Sequence, residues 1–162
     1  MTDFVFAYGS LLAFEHAGPC VLRDHQCGWD VAMDNRVTIP GYKFYVDPDT
    51  GERPPVYVTY LAIAPQPGGT VTGAAFAVDA AALAALDRRE RNYNRCEVTR
   101  LVDADLSGRV WAYVGSAAGR ARCAEARAAG AAVVAAEYLA LVPDVEAPDL
   151  PVRSLLRRDV GA

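Results

Sequence analysis

The chain has 162 residues, 52 % of them apolar and 22 % charged, with a formal net charge of −4. That length and balance suit a single domain with its own core and exclude a disordered chain. No basic block stands out, which argues against nucleic acid as a partner, and the longest apolar segment, 131–142, is too short to span a bilayer and carries Glu137.

In chain order, "FVFAY" (4–8) is a short apolar run that stops at Gly9-Ser10, the pattern of a buried strand entering a loop. Residues 13–28 read as irregular. "WDVAM" and "YKFYV" (42–46) read as short strands, the second leading into the turn-rich "DPDTGERPP". "VYVTYLAIA" (56–64) and "TVTGAAFAV" (70–78) read as neighbouring strands reversed through "PQPGG".

The segment 79–93 then reads as a helix. Asp79 is a good N-cap, alanine and leucine follow, and no Gly or Pro interrupts. With Leu83 at zero on a helical wheel, Leu86 falls at about −60° and Glu90 at about −20°. A carboxylate is thus aimed along the core-facing stripe, although Arg88, Arg89 and Arg91 are at hand for the wet faces. Lost hydration raises a carboxyl pKa toward neutrality, which suits a proton shuttle. A rolled helix, or an ion pair with Arg36 or Arg95, accounts for the position equally well.

"RCEVTRLVDA" alternates like a half-buried strand and pairs naturally with "RVWAYVGS" across "DLSG". Residues 119–142 are helical in composition, with Gly130 as a break. Residues 1–143 are expected to form the domain. The proline-rich tail 144–162 is expected to dock on it or to contact a partner chain, a second copy forming a homodimer. Strands on both sides of a helix, with more helix late, make an α+β fold with a closed or strongly curved sheet.

Two features carry chemistry. Glu90 is one. The other is "AYGSLL" (7–12), where a Gly-Ser turn at a strand end can gather backbone N–H groups around a carboxylate or an oxyanion, or can be an ordinary turn in which Gly9 supplies an unusual φ. "FAYGSLL", "VTGAAFAV" leading into "LDRRERNYNR", and the pair "CEVTRLV" and "VWAYVG" together resemble the γ-glutamylcyclotransferase-like superfamily over roughly residues 4–115. Arg91 departs from the glycine often found after the glutamate, and residues 34–55 look individual.

The resemblance implies a small mixed β-barrel with flanking helices and no cofactor. It implies that Tyr8, Gly9, Ser10 and Leu11 line a pocket and hold substrate through backbone N–H groups. It also implies that Glu90 is the catalytic acid/base, with Tyr93 and Tyr113 as pocket residues. The substrate would be a small molecule carrying a γ-glutamyl group, whose own α-amine attacks its γ-carbonyl to release 5-oxoproline. The alternatives are a non-catalytic module of the same fold that binds a small carboxylated ligand, and a related lyase acting on a modified amide. Arg36 either clamps a substrate carboxylate or pairs with an acid.

Other groups read as structural. Ser10 lies outside a GxSxG string, and neither His16 nor His25 has a triad context. His16, Cys20, His25 and Cys27 are zinc-ligand types at a spacing that matches no familiar zinc motif, so no metal is expected. The four cysteines form no CxxC pair, so reduced thiols are expected. With no basic region before the first apolar stretch, the expected location is cytoplasmic.

Overall fold

The computed structural model describes residues 1–13 and 18–161. Its elements run β1 (Thr2–Ala7), a 3-10 turn (Gly9–Ala13), β2 (Pro19–Asp34), β3 (Lys43–Val46), β4 (Tyr57–Val78), α1 (Ala80–Arg89), β5 (Tyr93–Glu97), β6 (Gly108–Gly115), α2 (Ala117–Ala128), β7 (Ala132–Ala135), α3 (Ala136–Ala140), β8 (Val152–Arg153) and β9 (Leu156–Asp159). This is an α+β fold. The chain divides into two compact units, Met1–Gly28 with Leu61–Ser116, and Trp29–Tyr60 with Ala117–Ala162.

In the first unit β1 is central. It runs antiparallel to the end of β4, from Asp3 against Val78 to Ala7 against Ala74, and parallel to β6, from Thr2 against Gly108 to Val5 against Trp111. β5 adds to β6 antiparallel, Tyr93 facing Gly115 and Glu97 facing Trp111; the pairing is the one expected of "RCEVTRLVDA" and "RVWAYVGS", but β5 ends at Glu97 and the chain turns at 99–101. β4 curls far enough for Ile63 to bridge β6 at Val114. Glycines permit the close approach: a Cβ at Gly73 would run into the Ala7 carbonyl oxygen and the Phe6 ring, and one at Gly108 into the Thr2 carbonyl oxygen.

On one face of this sheet lies α1. Asp79 caps it as its sequence position predicts, accepting the Ala82 N–H at 2.7 Å. Leu83 and Leu86 are buried with Val5, Ala7, Leu11 and Tyr113, and Phe76, Val78, Tyr93 and Trp111 pack around them. Burying each leucine stabilises the helix by about 1.5–3 kcal/mol, more than the intrinsic propensity of so short a helix supplies.

Three sequence readings of this unit are corrected. Most of 13–28 is not irregular: β2 covers it from Pro19. Cys20 and Leu22 alternate inward, but Asp24 takes a left-handed φ of 56° and the next buried residue is His25. That slip hides the period of two. "PQPGG" is not a reversal, since β4 runs through it. Its glycines serve the approach of β2 instead: a Cβ at Gly69 would sit 2.5 Å from the His25 carbonyl oxygen, and the Gly68 N–H bonds the Asp24 carboxylate at 3.0 Å. The helix predicted over 79–93 stops at Arg89, and Tyr93 already opens β5.

The second unit holds β3 antiparallel to β9 (Lys43 against Asp159), and β7 parallel to both the start of β4 (Tyr57 against Ala132) and β8 (Val134 against Val152). The tail after Pro143 therefore supplies β8 and β9. Residues 119–142 are not one helical region. Gly130, at φ +65°, follows α2, and Val133 and Val134 then form the buried strand β7. Alanine-rich composition favours helix, but parallel pairing on both sides overrides it. Asn35, fully buried, donates to the Tyr45 and Pro54 carbonyls (3.0 and 2.9 Å) and accepts the Tyr45 N–H at 2.8 Å.

Candidate active site

β1 delivers Tyr8 to the end of the sheet, where it is buried and donates its hydroxyl to the Tyr113 carbonyl at 2.5 Å. Gly9 follows at φ +57°, a conformation that glycine adopts without strain, and starts the 3-10 turn. The Leu11 N–H reaches the Tyr8 carbonyl at 3.3 Å, and the Leu11 side chain joins the α1 cluster while Leu12 stays exposed. Ser10 is half-buried. The turn is thus anchored by Tyr8 and Leu11, and its leading N–H groups have no acceptor earlier in the same turn.

Glu90 is the C-cap of α1. Its N–H still bonds the Leu86 carbonyl at 2.8 Å, but its ψ of 61° ends the helix. The side chain is 13 % exposed, with Oε1 at 3.5 Å from Arg89 Nε. The inward direction read from the wheel holds because the Cβ of Glu90 still follows the helical path, though the residue is a cap rather than part of the helix. The ion pair is with Arg89, not with Arg36 or Arg95.

Tyr113, from β6, is 2 % exposed and donates its hydroxyl to Asp87 Oδ1 at 2.8 Å. Burial pushes its pKa well above the usual tyrosine range, and the hydrogen bond to Asp87, the charge of Asp87 and the charge of Glu90 push the same way, against Arg95. Tyr93 donates its hydroxyl to the Leu61 carbonyl at 2.6 Å and packs against the same cluster.

Leu11 and Tyr113 lie in one buried cluster with Tyr93 packed against it, and Tyr8 is tied to it by its hydrogen bond to the Tyr113 carbonyl; Gly9 and Ser10 follow Tyr8 in the turn, and Glu90 caps the helix that carries Leu83 and Leu86. Arg36 belongs to the other unit. There its guanidinium is paired with Asp34 at 2.9 Å, accepted by the Tyr57 hydroxyl at 2.8 Å and stacked on the Tyr57 ring.

Asp87 was not singled out by sequence reasoning. On the wheel it falls at about +40° from Leu83, flanking the stripe on the side opposite Leu86, so the signal was present. Arg95 Nε lies 3.4 Å from Asp87 Oδ1, and the Arg95 guanidinium stacks on Trp111, 4.6 Å from the ring centroid. Asp87 also lines a cleft of ≈ 370 Å³ together with Asp3, Leu83, Arg95, Arg109 and Trp111. In the 15–27 segment, His25 is buried and its Nδ1 lies 3.0 Å from the Arg23 carbonyl; Cys20 is buried, which raises its thiol pKa, and Cys27 is exposed. His16 lies outside the described residues.

A family model described as "Gamma-glutamyl cyclotransferase, AIG2-like" matches residues 5–131. A solved structure titled "Gamma-glutamyl cyclotransferase" is similar at 17 % identity, covering 72 % of this chain and 68 % of that one with a TM-score of 0.47. No curated protein sequence matches.

Proposed function

Because the chain belongs to the gamma-glutamyl cyclotransferase, AIG2-like family, we propose that it releases 5-oxoproline from a γ-glutamyl amide or amine, with Glu90 as acid/base. The observation that carries this reading is the largely buried Glu90 side chain at the end of α1, the helix whose Leu83 and Leu86 pack with Leu11 and Tyr113.

The substrate supplies its own nucleophile. Its α-amine attacks its γ-carbonyl, a five-membered lactam closes, and the amide C–N bond breaks. Holding amine and carbonyl in one compact conformer contributes much of the acceleration. The remaining need is protonic: the amine nitrogen loses a proton as the new bond forms, and the leaving nitrogen gains one. Glu90 takes the first proton as a base and returns it as an acid. The loop N–H groups of Gly9 and Ser10 hold the substrate carboxylate or the developing oxyanion, while the Leu11 N–H closes the turn on the Tyr8 carbonyl. The location proposed for this chemistry is the cytoplasm.

The test is mass-spectrometric detection of 5-oxoproline after incubation with γ-glutamyl amino acids, glutathione, γ-glutamyl amines and ε-(γ-glutamyl)lysine. We expect product from the parent protein and none from Glu90→Gln, with the variant's circular dichroism and thermal midpoint unchanged. Undiminished turnover by Glu90→Gln removes Glu90 from the mechanism. No product from any substrate rejects cyclotransfer on this panel.

A further inference from the structure

A neutral phenol has one hydrogen to donate and two lone pairs to accept with. In Tyr113 that hydrogen is committed to Asp87 Oδ1 at 2.8 Å. The same Oδ1 is paired with Arg95 Nε at 3.4 Å, and Arg95 is braced on the Trp111 ring. The charged and titratable groups around the phenol are Asp87 and Glu90 from the end of α1, Arg95 from β5, and Tyr8, whose hydroxyl is spent on the Tyr113 carbonyl. With its hydrogen turned toward Asp87, the phenolic oxygen meets any ligand as an acceptor.

We propose that Asp87 is a positioning residue that fixes the Tyr113 hydroxyl hydrogen, so that the phenolic oxygen accepts an N–H of the substrate's attacking amine. The proposal rests on the cyclotransfer reading above. An amine that aims its lone pair at the γ-carbonyl still carries N–H groups that need acceptors. Glu90 takes the one that is transferred, and Tyr113 receives another and fixes the rotation of the nitrogen. If Tyr113 instead donated toward the amine, it would compete for the nitrogen lone pair and oppose attack.

Four variants test this: Asp87→Ala, Asp87→Asn, Tyr113→Phe and the double Asp87→Ala/Tyr113→Phe. Asp87→Ala should lower kcat about tenfold, the scale of one lost hydrogen bond to a charged group, with KM little changed. Asp87→Asn, whose carboxamide oxygen still accepts from the phenol, should lose only about threefold. The double variant should be no slower than Tyr113→Phe alone.

A second readout follows the ring itself. In protein labelled with ¹³C-tyrosine, Tyr113 should ionise at a lower pH in Asp87→Asn, which removes the opposing negative charge, than in the parent. Additive losses in the double variant, or a Tyr113 titration identical in parent and Asp87→Asn, overturn the proposal while leaving cyclotransfer standing. A parent protein that forms no 5-oxoproline overturns both.

Discussion

At the scale of single residues, the site depends on polar groups placed where water is scarce. Tyr113 has a measurable consequence in pH. An unfolded tyrosine ionises near pH 10, whereas burial and the Asp87 and Glu90 charges hold the native hydroxyl above that. Above about pH 10 the unfolded chain has released a proton that the native chain keeps, so native stability falls as pH rises toward the native value. Chemical denaturation at about pH 9 and about pH 10.5 should show this decline. It should be smaller in Tyr113→Phe, where only the other raised tyrosines, such as buried Tyr45, still contribute. An equal decline in both proteins would show that Tyr113 titrates normally.

At the scale of elements, α1 is the part that aims Glu90 and Asp87. Its start depends on Asp79, and Asp79→Ala should cost about 1 kcal/mol in denaturant unfolding. Its seating depends on Leu86, and Leu86→Ala should cost ~2–5 kcal/mol while leaving a cavity under the turn that carries Glu90. Turnover should fall with it even where the variant remains folded. The strands impose a different demand. Gly73→Ala places a methyl group against the Ala7 carbonyl in the neighbouring strand, so it should destabilise by ~1–3 kcal/mol or more, although Ala has the better propensity in most settings. A thermal midpoint at or above the parent value would show that β1 and β4 can separate at that point.

At the scale of the whole molecule, each compact unit carries its own core. The first is built from Val5, Ala7, Leu83, Leu86 and Tyr113, and the second around Ala32, Tyr57, Cys123, Ala126 and Ala132. The second unit also contains Asn35, whose three hydrogen bonds tie together backbone from residues 45 and 54. Asn35→Ala would remove the side-chain partners of the Tyr45 carbonyl and N–H, while the Pro54 carbonyl keeps the Val56 N–H, and should cost about 3 kcal/mol by calorimetry. No helix among the described residues is long and apolar enough to cross a membrane.

Much of the first unit was determined by local sequence. The Asp79 cap, the inward leucines, the direction of Glu90 and the pairing of β5 with β6 follow from capping chemistry and from periods of 3.6 and two, which are properties of neighbouring residues. The Tyr8–Leu11 turn was legible for the same reason, since a glycine at positive φ marks itself. What the tertiary structure decided depended on partners far away in the chain. "PQPGG" carries a strong turn signal, yet it stays in a strand, where Gly69 admits the β2 backbone. Residues 132–135 have helix-forming neighbours, yet they pair as a strand on both sides. Arg36 reads equally as a clamp for a substrate carboxylate or as the partner of an acid; in the fold it pairs with Asp34, and Tyr57 is brought to it from farther along the chain. Asp87 lay on the wheel beside the core stripe, but only the fold brings the Tyr113 hydroxyl and the Arg95 guanidinium to it. A hydrogen bond across 26 residues of sequence leaves no periodicity in the chain that makes it.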